Sequence, residues 1–518
     1  VAVEVHLGGG LPTFGIVGLP ATAVKESKDR VRAALANSGF EFPAGRITVN
    51  LSPADLPKEG CRYDLPIALG ILLASGQIEF ADMLLERCEF YGELGLTGEL
   101  KPVKGVLLAA AHAGREARGV VVPMDNLSEA RLAARNAAHG ASSLLDVCGL
   151  LDRRASLPVA SCSGPCLPQL QDRRSPEAPL DLADVRGQAQ PKRALLIAAA
   201  GGHSLLLVGP PGTGKSMLAQ RLPGLLPDLD PDDALDVASI ASVSGAGFAA
   251  RDYGRRPFRA PHHSASASAI IGGGPHARPG EVSLAHHGVL FLDELPEFNR
   301  SVLESLREPL ETGVVAIARA RLQVEYPARF QLIAAMNPCP CGYLGDVSGR
   351  CRCAPPEIAR YRARISGPLL DRIDLRVEVP AVPSEELLGE GPAHDPAMCT
   401  AGLARRVRAA RALQRARLGK LNAGLSGKEI QEACGLDRHC RRLLAQARGK
   451  LQLSARGIHR VLRVARTIAD LETASRSNVD PGPADPENPA AENETGRGNH
   501  SIGPVHLAEA LQLRRAIE

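Results

Sequence analysis

The stretch LLLVGPPGTGKSMLAQRL, Leu205 to Leu222, decides the fold class. It opens with an apolar run. Gly209-Pro210-Pro211-Gly212-Thr213-Gly214-Lys215-Ser216 then matches G-x-x-x-x-G-K-[ST], and a helical pattern follows. A buried strand feeding a glycine-rich turn and then a helix is the context this motif requires. The glycines let backbone N–H groups turn inward around phosphates, at the positive end of the helix. Lys215 is expected to reach the β- and γ-phosphates, and the Ser216 hydroxyl to ligate Mg²⁺. An accidental glycine-rich turn is the alternative, and the flanking strand and helix argue against it.

Further along, GVLFLDEL (288–295) reads as a buried strand with Asp293 and Glu294 emerging at its end. Beside a P-loop, Asp293 is suited to hold the Mg²⁺ shell and Glu294 to polarise an attacking water. A merely solvated turn is the competing reading. FQLIAAMNP (330–338) supplies another buried strand, tipped by Asn337, whose amide can orient that water. GPLLDRIDL carries Arg372, and LSARGIHRVLRVARTIADL opens a helix with Arg456. In a ring, Arg372 can reach a neighbour's γ-phosphate as an arginine finger. Arg456 is suited to touch the same phosphate from a helical lid. For each, a solvated surface arginine is the alternative.

The chain has 518 residues, enough for about three domains at roughly 150 residues each. A hydrophobic content of 44% and a charged content of 23% are ordinary for a globular protein. A net charge of +4 is too small to imply a polyanionic partner by itself. No apolar run reaches the ~18 residues of a membrane span, and no basic-then-apolar leader opens the chain. Its 12 Cys in so long a chain do not resemble a small disulfide scaffold, so a reduced, cytoplasmic protein is expected. The chain opens at Val1, so further N-terminal residues are expected to precede it.

Residues 1–150 mix strand patterns (VAVEVHL, RITVNL) with a helical stretch ending at Gly39, which predicts an α/β or α+β domain. Residues 151–182 are rich in Pro and Ser and read as a linker, with Cys162 and Cys166 as isolated thiols rather than a metal pair. Residues 183–382 alternate strands and helices as an α/β ATPase core, and 383–518 read as a C-terminal helical lid. Within the lid, 475–501 is polar and rich in Pro and Asn, the composition of a disordered insertion.

The order of P-loop, LFLDE, Asn337, Arg372 and Arg456 resembles the AAA+ ATPases. RAPHHSASASAIIGGG, PGEVSLAHHGVLFLDELPEF, AAMNPCPCGY and RISGPLLDRIDL resemble the magnesium-chelatase-like ComM/YifB family. VEVHLGGGLPTFGIVGLP and VNLSPADLPKEGCRYDLPIALGILLASG resemble that family's N-terminal domain. The resemblance implies an α/β fold: a P-loop AAA+ module with a helical lid, preceded by an α+β Lon-protease-like (ribosomal S5 domain 2-like) domain. It implies a hexameric, ATP- and Mg²⁺-dependent motor that drives DNA branch migration in natural transformation. It also implies the roles of Lys215 and Ser216 (Walker A), Asp293 and Glu294 (Walker B), Asn337 (sensor 1), Arg372 (finger) and Arg456 (sensor 2, with Arg460 as fallback). The rival is a chelatase or MoxR-like remodeller of a protein partner. Such systems pair with a D-x-S-x-S metal-site partner, a motif this chain lacks.

A Lon-like peptidase needs a Ser nucleophile and a Lys base. LPKEGCRYDLPIALG offers Cys61, Arg62, Tyr63 and Asp64 instead, and Lys104 lies too early on the next helix to serve as base. A non-proteolytic docking or assembly domain is therefore expected. For DNA, a hairpin before the sensor strand carries Arg319 and Arg321 near its tip, and six copies would form a basic ring that tracks phosphates. An ordinary exposed hairpin is the alternative. Arg255, Arg256 and Arg259, in the second-helix insert that the resemblance implies, form a second candidate set. Residues 400–466 are dense in Lys and Arg against Glu429, Glu432 and Asp437, which suits an anionic partner or simply a solvated face. His262, His263, His286 and His287 lack nearby Cys or carboxylate ligands in the sequence, so packing or hydrogen bonding is expected of them rather than metal binding. Finally, CPCGYLGDVSGRCRC places Cys339, Cys341, Cys351 and Cys353 in two C-x-C pairs, suited to Zn²⁺ or left as free or redox-active thiols.

Overall fold

The computed structural model describes residues 1–518 except 80–86, 135–136, 152–179, 245–247, 249–251, 275–276, 320–321, 346–348, 383–397, 477–500 and 515–518. Most of the expected linker, with Cys162 and Cys166, and most of the 475–501 segment lie outside the described residues. Two compact units emerge: residues 1–174 with 231–254, and residues 175–230 with 255–518.

In the first unit the alternating VAVEVHL and RITVNL stretches become β1 (Ala2–Gly8) and β3 (Arg46–Ser52), which pair antiparallel. β2 (Thr13–Val17) joins β3 in parallel. Their apolar side packs with α1 (Ser27–Asn37) and α2 (Asp64–Ala74), around Val31, Leu35, Ile47, Val49, Leu65 and Leu72. Gly39, just past α1, has φ +82, a left-handed helix stop that glycine adopts at no steric cost. A second sheet, β4 (Cys88–Phe90), β5 (Gly119–Pro123) and β6 (Ala138–Ala141), is parallel throughout. α3 (Val106–Arg115) joins β5 in a separate small core. The helix Pro231–Val243 belongs to this unit too, and its Ser242 hydroxyl donates to Glu129.

The second unit is built on one five-stranded parallel sheet. Its strands are β7 (Leu205–Val208), β8 (Phe258–Arg259), β9 (Val289–Leu292), β12 (Gln331–Met336) and β13 (Leu375–Glu378). A hairpin of β10 (Val314–Arg319) and β11 (Leu322–Pro327) precedes β12. The order across the sheet is β8-β9-β12-β7-β13, with every pair parallel. Every residue of β7 and β9 is buried, because helices cover both faces of such a sheet. On one face lie α4 (Ala189–Gly201) and α5 (Lys215–Leu225), sharing their core with α7 (Thr400–Leu418), α8 (Ala455–Arg476) and α9 (Pro504–Gln512). The other face buries Leu206, Leu290, Leu292 and Leu332 with Tyr361 of α6 (Pro355–Arg362). The chain arrives at β12 and at β13 by separate routes, so β7 is where the strand order reverses. Parallel sheets place ligands beyond the carboxyl ends of the strands at such a point. Among the described residues, no helix is long and apolar enough to cross a membrane.

Candidate nucleotide site

The loop 209–216 leaves the carboxyl end of β7 and enters α5. Gly209 has no room for a side chain, since a Cβ there would lie 2.2 Å from the Val379 carbonyl oxygen. Gly212 (φ +78) and Gly214 (φ +87) adopt the left-handed backbone that turns the loop. The Thr213 hydroxyl donates to the Pro210 carbonyl at 2.9 Å and closes it.

Lys215 is buried, and its Nζ donates to the carbonyls of Gly209 and Pro210, both at 2.7 Å, and to Asn337 Oδ1 at 3.2 Å. Burial lowers its pKa, while the charges of Asp293 and Glu294 pull the other way. Ser216 Oγ donates to Asp293 Oδ2 at 2.6 Å. The loop lysine, the loop serine, the acid at the end of β9 and the amide at the end of β12 therefore meet at one point. A hydroxyl and a carboxylate this close are hard oxygen donors of the kind Mg²⁺ takes in triphosphate sites.

Glu294 stands beside this cluster in a left-handed conformation (φ +51), uncommon for a residue with a side chain. Its carboxylate lies 3.1 Å from His263 Nδ1. His263 packs on His262 with ring centroids 4.1 Å apart and the rings tilted by 35°, and meets Phe298 edge-on at 6.5 Å. Gln188, also left-handed (φ +57), donates to the carbonyls of Thr213 (3.2 Å) and Pro380 (2.7 Å), tying α4 to the loop. Its Oε1 is buried with no hydrogen-bond partner among the described residues. No sequence signal marked Gln188; His263, of which packing or hydrogen bonding was expected, lies against Glu294 and Phe298.

Arg372 and Arg456 are not part of this cluster. Arg372 precedes β13, and its carbonyl accepts from Ser204 Oγ at 3.0 Å, level with the amino end of β7. The loop lies past the carboxyl end of that strand, four residues or about 13 Å further on. The Arg372 guanidinium turns to Glu311, at 2.7 Å, and to the Pro368 carbonyl, at 2.8 Å. Arg456, 71% exposed, approaches the other oxygen of Glu311 at 3.7 Å. Hydrogen bonding from Arg372 and both positive charges hold the Glu311 carboxyl below its usual range. Arg460, the fallback, is already engaged: it pairs with Asp374 and donates to the Arg372 carbonyl at 2.8 Å. Asp374 also accepts from the Ser204 N–H (3.3 Å) and lies 3.3 Å from His203 Nδ1. Burial alone would raise its pKa, but the His203 hydrogen bond and the Arg460 charge win and hold it well below the ordinary carboxylate value.

Among the DNA candidates, Arg319 sits opposite Leu322 in the hairpin register. Its side chain, and Arg321 altogether, lie outside the described residues. Of the second set, Arg256 and Arg259 are used internally, while Arg255 is exposed. Arg256 donates to the Pro227 and His287 carbonyls, both at 2.6 Å, and Arg259 forms a two-point pair with Glu281 at 2.6 and 2.8 Å. The basic lid is divided, with some guanidinium groups turned inward and others, such as Arg438, Arg441 and Arg442, exposed. Arg411 is buried and donates to the Ala199 carbonyl at the end of α4, Arg417 and Arg466 share Asp470, while Arg405 and Arg408 are exposed. His286 is buried, accepts from the Arg329 N–H at 3.0 Å and has its pKa pushed down to about 3 by burial. In the first unit, burial raises the Cys61 thiol, the reverse of what a nucleophilic cysteine needs. Asp64 is buried and accepts from Ser27, Arg30 and the Leu94 N–H.

The four cysteines after Asn337 gather. Cys339 Sγ lies 3.3 Å from Cys341 and 3.7 Å from Cys351, with Cys341 and Cys351 3.6 Å apart. With Cys353 included, all four sulfurs lie within 4.8 Å of one another. The Tyr343 N–H and the Cys339 thiol draw the Cys341 pKa down to about 6.

Three family models match the chain: "Magnesium chelatase, subunit ChlI" over residues 181–387, "Subunit ChlI of Mg-chelatase" over 3–126, and "Magnesium chelatase, subunit ChlI C-terminal" over 397–480. The competence protein ComM of Haemophilus influenzae is 48% identical over 517 residues, covering 100% of this chain and 95% of that protein. The uncharacterized protein YifB of Salmonella typhimurium is 49% identical over 477 residues, covering 92% of this chain and 91% of that one. The magnesium-chelatase 38 kDa subunit of Cereibacter sphaeroides is more distant, at 25% identity over 177 residues, covering 31% of this chain and 53% of its own.

Proposed function

The chain belongs to the magnesium-chelatase-like ComM/YifB family of AAA+ ATPases, which implies ATPase activity with Mg²⁺, and on that premise we propose that it is a cytoplasmic, hexameric motor that promotes branch migration of DNA. The observation that carries the ring is the separation of Arg372 from the loop 209–216 along one sheet. A protomer presents the phosphate-binding half of a site at one end of its strands and the finger half at the other. Heterologous contact between identical copies joins the two halves and closes into a ring.

In this reading Ser216 and Asp293 hold Mg²⁺, and Lys215 exchanges its carbonyl partners for phosphate oxygens. Glu294, released from His263, takes a proton from the attacking water, and Asn337 orients that water. A neighbour's Arg372 leaves Glu311 and offsets charge on the transferring phosphoryl group. Arg456 meets the same Glu311 and therefore acts in trans, beside Arg372. The 183–382 core and its 383–518 lid form the motor. The hairpins carrying Arg319 and Arg321 contact DNA phosphates in the channel. The 1–150 domain is Lon-like in fold, non-proteolytic, and serves assembly or docking.

DNA as cargo is supported by the name of the Haemophilus relative, a competence protein, which this chain matches along its whole length. The chelatase relationship supports the rival reading, remodelling of a protein partner. ATP turnover measured with and without forked DNA separates the two. Several-fold stimulation by the fork is expected, together with strand exchange on a labelled three-strand substrate. The Glu294→Gln variant should bind ATP and assemble, yet turn over at least about a hundredfold more slowly. Turnover indifferent to every DNA form would refute the DNA motor, and near-normal turnover of the variant would refute the role of Glu294.

A further inference from the structure

The four-cysteine loop follows Asn337 directly and has no part in the reaction above. We propose that Cys339, Cys341, Cys351 and Cys353 bind one structural zinc ion as a tetrathiolate knuckle, and that this knuckle braces Asn337 against the phosphate-binding loop.

The metal half rests on the donor set. A tetrahedral site with Zn–S bonds of ~2.3 Å has sulfur–sulfur edges of about 3.8 Å. The separations among Cys339, Cys341 and Cys351 are 3.3, 3.6 and 3.7 Å, and all four sulfurs share one cluster. These exceed the ~2.05 Å of a disulfide, so the thiols converge without bonding to one another. The Gly342 N–H donates to the Cys339 carbonyl at 3.0 Å, closing a tight turn around the first pair, with Gly342 at φ +85. A C-x-C pair is tighter than the usual C-x₂₋₄-C, and this turn lets both of its thiols point the same way. Binding expels the thiol protons and leaves a net charge of about −2 on the metal and its four sulfurs. Arg350 and Arg352 flank Cys351 and offset it, with the Arg350 guanidinium over the Tyr343 ring at 4.4 Å.

The bracing half rests on contacts with the loop, and on the nucleotide reading of Lys215 and Asn337. A Cβ on Gly342 would lie 2.8 Å from Pro211 Cδ and 3.7 Å from Asn337 Cγ, so the backbone of the knuckle is pressed against both. From the far side, Arg362 Nε of α6 donates to the Pro338 carbonyl at 3.3 Å, and Cys353 lies just before that helix. Tying Cys351 and Cys353 to Cys339 and Cys341 thus closes the segment between β12 and α6. It fixes the residue that accepts from Lys215 Nζ.

The full chain, purified under reducing conditions, is assayed for zinc by mass spectrometry, and about one ion per chain is expected. Cobalt substitution should give the visible spectrum of a tetrahedral tetrathiolate. The Cys351→Ser/Cys353→Ser variant should lose the metal while keeping its far-ultraviolet dichroism. Its affinity for a fluorescent ATP analogue should fall by about tenfold or more, the scale on which a small misplacement of a site residue acts. Lys215→Ala is the control: it should lose the nucleotide and keep the zinc, which separates failure of the knuckle from failure of the ATP site. Less than about a tenth of an ion per chain after incubation with zinc alone, or an octahedral cobalt spectrum, would overturn the metal site. Zinc bound in full, with unchanged analogue affinity in the metal-free variant, would overturn the bracing. If the double variant fails to fold, removal of zinc from the native chain by a thiol-directed mercurial, followed by the same affinity measurement, decides between the same two outcomes.

Discussion

The proposed division of the site between protomers yields a sharp test with two variants expected to be inactive. Lys215→Ala removes the loop ammonium and with it tight triphosphate binding, but leaves Arg372 intact. Arg372→Ala retains the loop and loses the finger it would lend to a neighbour. Alone, each should be nearly inactive; loss of a finger costs on the order of 10³ or more in turnover. In a mixed ring, a loop from an Arg372→Ala protomer facing the Arg372 of a Lys215→Ala protomer is complete. With equal amounts and random order, about one interface in four has that arrangement. Recovery of about a quarter of wild-type ATP turnover per chain is therefore expected, provided the interfaces fire independently. If the finger served its own loop, no protomer in the mixture would hold both groups, and turnover would stay at the sum of the two variants. The geometry of the single protomer disfavours that case, because the Arg372 carbonyl is level with Ser204 while the loop begins beyond Val208. The assay is phosphate release from co-refolded or subunit-exchanged mixtures, with mixing verified by differently sized tags. Verified mixed rings with no recovery would refute the trans assignment.

Two further outcomes follow from buried groups. Asp374→Asn should destabilise the second unit by about 3–5 kcal/mol at neutral pH, because it strips the charge that Arg460 is buried against. The folded pKa of Asp374 lies below the unfolded value of ~3.9, so its contribution is fully present above that value and is lost as pH falls through the folded pKa. Chemical denaturation of wild type and variant should show a constant gap down to about pH 5 that narrows below pH 4; a gap that widens with acid would contradict the assignment. Gly209→Ala places a Cβ 2.2 Å from a backbone oxygen of the adjoining strand end, so the loop must shift. Its nucleotide affinity should fall by at least about tenfold with little change in helix content, and unchanged affinity would show that the loop has slack.

The nucleotide cluster was legible because its parts are local. A strand, a glycine-rich turn and a helix are contiguous in sequence, and two further buried strands each end in a marked polar residue. Those strands can be placed side by side only in the fold, yet each tip identifies itself: Asp293 reaches Ser216, and Asn337 reaches Lys215. Glu311, Gln188 and Asp374 were not legible. Their residue types are common, and their partners are distant in sequence: Glu311 meets Arg372, and Asp374 meets His203. The basic lid shows the converse. Its density in Arg suits an anionic surface, but Arg411 turns inward to a carbonyl at the end of α4, where helix carbonyls lack intrahelical partners. Arg417 and Arg466 turn inward to Asp470. Charge density in a sequence cannot distinguish a guanidinium that faces solvent from one that satisfies a helix end.

If Arg372 is the finger of the proposed ring, the contacts around it also account for how a finger on a short connection would be held. Its backbone carbonyl accepts from two directions, Ser204 at the amino end of β7 and Arg460 of the lid helix α8. Arg460 reaches on to Asp374, which His203 and the Ser204 N–H grip from the sheet side. The His203 ring in turn meets Thr467 of α8 at 2.8 Å. The root of the finger is therefore pinned to the sheet and the lid through buried, charge-assisted hydrogen bonds, whose loss is costly because the partners left behind have no water to turn to. Only the guanidinium remains adjustable, held by Glu311, which is half exposed and shared with Arg456. Any displacement of the lid must carry the finger's base with it, whereas exchange of Glu311 for a phosphate requires only a side-chain rotation. The same protomer thus combines a rigid mount with a releasable tip, and the releasable part is the one that faces the neighbouring copy in the proposed ring.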